Sequence, residues 1–365
     1  MSIFDTKTNP AICVLPWVHK FKEKNGKTAP CCQGDTLRDN ETLESIRQQM
    51  LKGNKPRTCN SCYREENETN YSARIQQTVD WLKKFGEPDI GKPTLQYVDV
   101  RFDPTCNLKC KMCGPSSSTL WQKEKKVNFP VNDLNKDYLT NVDKSLLKKV
   151  YLAGGEPTFI KEYYSFLDEL HRVNPGCEVI VNTNLKKLPE GWKAIIKKFK
   201  NLTIVCSCDA ISLLGTYVRY PLGWEEFEEN VKFVSEHANF LQFNLVAYNL
   251  TSHRLFETCN WMKTYSKNIN LMPLNSPDYF TERAIPQEDR HVYIDNIAKL
   301  LKFPVSVHYA MNFRNKIQYL LNKYNDSVYD EALHHSLKKE VNEQDSCRSL
   351  KLHEVDPFLS AWIYR

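Results

Sequence analysis

The sequence predicts an α/β fold: a partial (β/α)6 barrel preceded by a cysteine-rich module and followed by a helical extension. Three observations predict it. From about residue 94 to 290, short apolar runs of strand character alternate with amphipathic stretches, the pattern of parallel βαβ units. The breaker-rich run Gly86-Glu-Pro-Asp-Ile-Gly-Lys-Pro93 separates that region from an N-terminal zone rich in cysteine and polar residues. Beyond about residue 283 the pattern is helical and carries no motif. The predicted organisation is therefore a module at 1–92, a barrel at 93–285 and an extension at 286–365.

In order along the barrel, the strand candidates are Leu95–Phe102, Lys149–Ala153, Glu178–Asn182, Leu202–Ser207, Leu241–Ala247 and Ile269–Pro273. Between them lie helix candidates at Ser116–Lys126, Lys161–Val173, Glu190–Phe199, Glu225–His237 and Ser252–Tyr265. Six units over about 200 residues suit a partial barrel better than a closed eightfold one. In such parallel folds the chemistry sits in the loops that follow the C-terminal ends of the strands.

A hydrophobic fraction of 41% and a charged fraction of 26% are those of an ordinary globular chain. No segment approaches the ~18 uninterrupted apolar residues of a membrane span, and the first residues lack the apolar core of a signal peptide. The expected location is cytoplasmic, with no membrane partner. Thirteen cysteines in a reducing compartment point to metal or redox work rather than disulfides. The net charge of +6 is spread over 50 basic and 44 acidic residues, so runs such as Lys123-Glu-Lys-Lys126 read as solvated helix faces. No basic stripe with interleaved aromatics marks a nucleic-acid groove.

The densest chemistry follows the first strand, in Asp103-Pro-Thr-Cys-Asn-Leu-Lys-Cys-Lys-Met-Cys-Gly114. Cys106, Cys110 and Cys113 supply three thiolates with no fourth. On a cluster of four irons this leaves one iron open to a substrate or cofactor, whereas a saturated electron-transfer cluster takes four cysteines. A zinc knuckle is the alternative for so short a cluster. After the second strand comes Tyr151-Leu-Ala-Gly-Gly-Glu-Pro-Thr158, where Gly154 and Gly155 allow close backbone approach and Glu156 can accept from a cation. Its alternative is an ordinary strand-to-helix turn.

The C-x3-C-x2-C triplet, with the glycine-rich motif one βα unit later, resembles the signature of the radical SAM superfamily. The resemblance implies a SAM-binding 4Fe-4S cluster on Cys106, Cys110 and Cys113, with Gly154, Gly155 and Glu156 at the amino end of S-adenosylmethionine. By the same likeness Thr183 and Asn184, Ser207 and Asp209, and Arg219 are strand-end polar positions for cofactor or substrate, Arg219 gripping a carboxylate. Met112 is expected to lend hydrophobic support near adenine. Local turn capping is the alternative for the strand-end residues, and a surface salt bridge for Arg219.

The N-terminal zone reads Cys13-Val-Leu-Pro-Trp17, Gly26-Lys-Thr-Ala-Pro-Cys-Cys32 and Cys59-Asn-Ser-Cys62. Beside such a barrel it resembles the SPASM or twitch modules that hold auxiliary 4Fe-4S clusters, although those usually follow the barrel. The resemblance implies one auxiliary cluster on Cys13, Cys59, Cys62 and one of Cys31 or Cys32, because adjacent residues point different ways. Zinc is the alternative for these thiols. Cys177, Cys206, Cys208, Cys259 and Cys347 lie outside both groups and read as packing residues, with Cys347 the one to watch as an extra ligand.

The resemblance thus implies a radical SAM oxidoreductase or transferase-like enzyme, reduced by a flavodoxin or ferredoxin and acting through a 5′-deoxyadenosyl radical. A peptide or protein substrate to be oxidised or cross-linked is favoured over a small sugar, alcohol or nucleotide. A non-enzymatic zinc or iron–sulfur scaffold or redox sensor is the remaining class.

Overall fold

Six strands, neighbouring one another in chain order, make the central sheet of the computed structural model, which describes residues 2–22, 27–101, 104–129 and 139–365. They are β1 (Tyr97–Arg101), β2 (Lys149–Ala153), β3 (Glu178–Thr183), β4 (Leu202–Ser207), β5 (Phe240–Ala247) and β6 (Ile269–Pro273). The pairs β1–β2, β2–β3 and β5–β6 are parallel, with Asp99 beside Tyr151 and Tyr151 beside Ile180. Gly26, Phe102 and Asp103, which the sequence reading used, lie outside the described residues.

Alternate residues along the first three strands fill the core. Val98, Val100, Val150, Leu152, Val179 and Val181 are all buried, and burying a side chain of this size stabilises the fold by about 1.5–3 kcal/mol. Helix Lys161–Val173 buries Tyr163, Phe166, Leu167 and Leu170, a stripe at helical spacing. Its Tyr163 hydroxyl donates to the carbonyls of Val100, at 3.1 Å, and Ala153, at 2.7 Å, which ties it to β1 and β2.

A helix follows each of β2 to β5: Lys161–Val173, Glu190–Lys198, Ser212–Val218 with Trp224–His237, and Leu255–Tyr265. Thus the expected α/β alternation is present, and the region after β6 is helical, including Arg290–Ala298, Val307–Asp326 and Glu331–Cys347. The N-terminal zone is helical too, at Leu43–Leu51, Asn60–Thr69 and Ala73–Phe85. No described helix is long and apolar enough to cross a membrane.

The chain divides into two compact units. One comprises Met1–Asp103, Pro130–Asn182 and Lys197–Thr203; the other comprises Pro104–Phe129, Thr183–Ile196 and Ile204–Arg365. In the first unit the N-terminal zone packs on β1. Tyr97 joins a core with Phe4, Val14, Trp17, Ile46 and Trp81, and the His19 ring stacks on Tyr97 with centroids 4.5 Å apart. The amides of Thr94 and Gln96 extend this contact by donating to the carbonyls of Trp17 and Val18.

Candidate functional site

In the second unit, the three cysteines of the triplet lie in the loop preceding helix Thr119–Lys125. Ser118 caps that helix by accepting from the Trp121 amide and turns its own hydroxyl onto the Leu108 carbonyl, 2.5 Å away. The indole N–H of Trp121 donates to the Cys110 carbonyl at 2.9 Å. The loop then runs beside residues 218–220: the Lys109 amide donates to the Tyr220 carbonyl at 2.7 Å and the Lys111 amide to the Val218 carbonyl at 2.8 Å. That register places Cys110 opposite Arg219.

Arg219 is buried, so its ion pair is not the surface salt bridge of the alternative reading. Its Nη1 donates to Asp209 Oδ2 at 2.7 Å, and Asp209 Oδ1 accepts from the Val246 amide at 3.0 Å. Both carboxylate oxygens of Asp209 are thus engaged, and its structural work is to aim the guanidinium. The thiols of Cys110 and Cys113 share a hydrogen bond; this bond, opposed by burial and helped by Arg219, draws Cys110 down to about 7. The same bond, with burial, pushes Cys113 up. Thiolate is the form that binds metal, so the loop holds one thiol poised to ionise near neutral pH.

The strand-end residues divide by what they touch. Thr183 Oγ1 accepts from the Leu185 amide at 3.1 Å, a turn-capping bond. Asn184 caps the same turn through the Lys186 amide, but its Nδ2 also reaches Asn107 Oδ1 at 2.8 Å and Cys106 Sγ at 3.8 Å. Lys186 Nζ adds a bond to the Asn107 carbonyl at 3.3 Å, so this turn fixes the Cys106 end of the loop. Ser207 closes β4, and Met112 is half-buried. The sequence reading missed Tyr248, whose buried hydroxyl finds no hydrogen-bond partner among the described residues; burial, Asp209 and Cys110 together push its pKa up.

Helix Ser212–Val218 delivers Arg219, whose amide donates to the Gly215 carbonyl. A Cβ at Gly215 would stand 2.6 Å from the Ala210 carbonyl oxygen, too close for any rigid backbone contact. Gly215→Ala is therefore expected to destabilise the protein by about 1–3 kcal/mol in denaturant titrations. An unchanged midpoint would show that this helix shifts freely.

The first unit holds the glycine-rich motif and the N-terminal cysteines. Gly154 has φ +116°, a conformation that favours glycine. Glu156 is buried, and its Oε1 accepts from the amide and hydroxyl of Thr158 at 3.1 and 2.9 Å. In the same unit Cys31 packs against the core containing Cys13 and Cys59. The loop after it is pinned beside Cys59 and Cys62: the Asp35 amide donates to the Thr58 carbonyl at 2.8 Å and Ser61 Oγ to the Gln33 carbonyl at 2.5 Å. Burial and neighbouring thiols hold Cys13 at about 12, and burial likewise raises Cys31, Cys59 and Cys62.

Cys32 points elsewhere. Its thiol is hydrogen-bonded to Asp99, which together with burial pushes it up to about 12. Asp99 is also gripped by Arg101, through Nε at 3.1 Å and Nη2 at 3.3 Å. Of the remaining cysteines, Cys177, Cys206, Cys208 and Cys259 are buried, while Cys347 is exposed.

Among the described residues, no three or more His, Cys, Asp or Glu side chains gather as they would around one metal ion. Both cysteine groups are donor sets of thiols alone, the set that iron–sulfur clusters take. It is the chemistry of the donors that fits that group.

A sequence profile described as the radical SAM superfamily matches residues 100–239. The GTP 3′,8-cyclase of Helicobacter pylori strain J99 is 26% identical over 102 residues, 27% of this chain and 31% of that protein. The chain thus spans under a third of that curated relative's length. Among solved structures, native anSMEcpe with bound AdoMet is similar at 17% identity and a TM-score of 0.42, over 56% of this chain and 59% of that one. Streptococcus suis SuiB is similar at 14% identity and a TM-score of 0.42, over 90% and 77%.

Proposed function

We propose that this chain, whose residues 100–239 match a profile of the radical SAM superfamily, is a member of it, an enzyme that reductively cleaves S-adenosylmethionine. The observation that carries the reading is the placement of the three triplet thiols in one loop, with Arg219 held opposite Cys110 by the pairing of 109–111 with 218–220. Cys106, Cys110 and Cys113 would hold a 4Fe-4S cluster, which with bound S-adenosylmethionine supplies a 5′-deoxyadenosyl radical. Everything else falls to the protein.

Arg219, aimed by Asp209, offers its buried guanidinium to a carboxylate; removal from water strengthens that attraction. Asn184 and Lys186 hold the Cys106 end of the loop, and Trp121 the Cys110 end. Gly154, Gly155 and Glu156 carry over from the family motif as the grip on the amino group, with Thr183, Ser207 and Met112 as lesser contacts. The substrate assigned is a peptide or protein, oxidised or cross-linked, because the four-thiol N-terminal module resembles the SPASM and twitch modules of enzymes that do this. The likeness to GTP 3′,8-cyclases favours a second reading, a nucleotide substrate. The cytoplasm and a flavodoxin or ferredoxin reductant complete the proposal.

Cys13, Cys31, Cys59 and Cys62 would hold a second, saturated 4Fe-4S cluster, with Cys32 excluded by its bond to Asp99. Cys31→Ala is expected to lower iron from about eight to about four atoms per chain, and Cys32→Ala to leave it unchanged. Equal loss in both variants would refute the assignment. For the activity, anaerobic reconstitution with iron, sulfide, dithionite and S-adenosylmethionine should yield 5′-deoxyadenosine. A fully loaded protein that makes none sinks the proposal, and adding candidate peptides or GTP separates the substrate readings by mass spectrometry.

A further inference from the structure

Helix Glu331–Cys347 and the turn after it grip the cysteine loop from far along the chain. Lys111, between two cysteines of the triplet, has a fully buried side chain whose ammonium lies 3.0 Å from Asp345 Oδ1, 234 residues away in sequence. The same oxygen accepts from the Tyr217 hydroxyl at 2.9 Å, while Asp345 Oδ2 accepts from the Leu352 amide at 2.8 Å. The ammonium also sits 3.8 Å from the centroid of the Tyr217 ring. One carboxylate therefore ties Lys111 to Tyr217.

A second grip acts on the other end of the pairing. Arg348 Nη2 donates to Glu124 Oε1 at 3.1 Å, and the other oxygen of Glu124 takes Lys109 Nζ. The guanidinium lies 4.8 Å from the Trp121 ring centroid, the same indole that donates to the Cys110 carbonyl. Tyr220 Oη meets Ser349 Oγ at 3.0 Å. The pairing of 109–111 with 218–220 is thus flanked by contacts to residues 345–349, made directly at Lys111, Tyr217 and Tyr220 and through Glu124 at Lys109.

Buried ion pairs add little net stability compared with apolar packing, but they allow few alternative arrangements. A slip of one residue in this pairing would carry Cys110 away from Arg219. Such a slip would also leave the Lys111 ammonium buried without its carboxylate, a large penalty. We propose that Asp345 and Arg348 are positioning residues that fix the register at which Cys110 stands opposite Arg219, and so hold the loop ready for iron. This rests on the reading of the loop as a cluster site.

The test begins on the apo chain, where it does not depend on that reading. Pulse labelling with N-ethylmaleimide under anaerobic conditions, read by peptide mass spectrometry, should show Cys110 reacting at least about tenfold faster in Asp345→Asn and Arg348→Met. Cys13, Cys59 and Cys62 should be unchanged, and Asp345→Glu should restore slow labelling. On reconstitution, the two variants should lose about four irons per chain and the change in electron paramagnetic resonance that S-adenosylmethionine causes. If Asp345→Asn exposes every cysteine alike, Arg348→Met decides, since Lys109 still pairs with Glu124 there.

Unchanged Cys110 labelling in both variants would overturn the proposal. Faster labelling with full iron and an intact spectral response to S-adenosylmethionine would overturn it too, while leaving the cluster reading standing. A wild-type loop that binds no iron would instead remove the cluster reading, and with it the role in holding iron.

Discussion

Alanine at Cys110 is expected to abolish 5′-deoxyadenosine formation, a loss of more than about a thousandfold, or ~4 kcal/mol of transition-state free energy. The magnitude follows from the ligand count: three thiols on four irons leave one iron open, and two leave a second iron without a protein ligand. Cys110 is also drawn down, to about 7, by its hydrogen bond with Cys113 and by Arg219. Its loss therefore removes a donor with thiolate character. Serine should do nearly as much damage, because its hydroxyl stays protonated. The measurement is product yield by chromatography alongside iron content; product persisting at a tenth of the wild-type rate would show that Cys110 is not a ligand.

The second large effect is expected at Asp209. Its side chain is fully buried and that of Arg219 nearly so, so Asp209→Ala strands a guanidinium whose Nε already lacks a partner among the described residues. Breaking one side of a buried pair costs about 3–5 kcal/mol, a large share of the 5–15 kcal/mol that typically stabilises a fold. The Val246 amide loses its acceptor as well. Asp209→Asn keeps that acceptor and should cost less. Anaerobic urea titration reads the stability, and equilibrium binding should show S-adenosylmethionine held about tenfold more weakly by the asparagine variant. An alanine variant with an unchanged midpoint would show that the pair does not hold this part of the fold.

Much of this architecture was legible because it is local. Lys149–Ala153, Leu202–Ser207 and Ile269–Pro273 were read from the sequence with the bounds they have in the structure, since short apolar runs flanked by polar residues state their own ends. Helix Asn60–Thr69 was not read. Its residues Asn-Ser-Cys-Tyr-Arg-Glu-Glu-Asn-Glu-Thr carry no apolar stripe, and it is held by Arg74 across Glu66 and by Tyr63 on the Ala11 carbonyl. The triplet announced itself through spacing, whereas Asp345 sits among Asn342, Glu343 and Gln344 and looks like any solvent-facing acid. Only tertiary structure reveals that it lies against Lys111. Cys31 and Cys32 could not be told apart either, because what separates them is the direction of each side chain and the position of Asp99.

The distance between Lys111 and Asp345 also bears on when the loop becomes competent during synthesis. Local contacts form early and distant ones late, since closing a long stretch of chain costs entropy before any contact repays it. A nascent chain that has emerged through Cys113 has its three thiols but neither Arg219 nor the carboxylate that anchors Lys111. On the proposed role of helix Glu331–Cys347, a chain that has emerged only through Cys113 displays its thiols before the contacts that orient them exist, and the loop takes its register after that helix has docked.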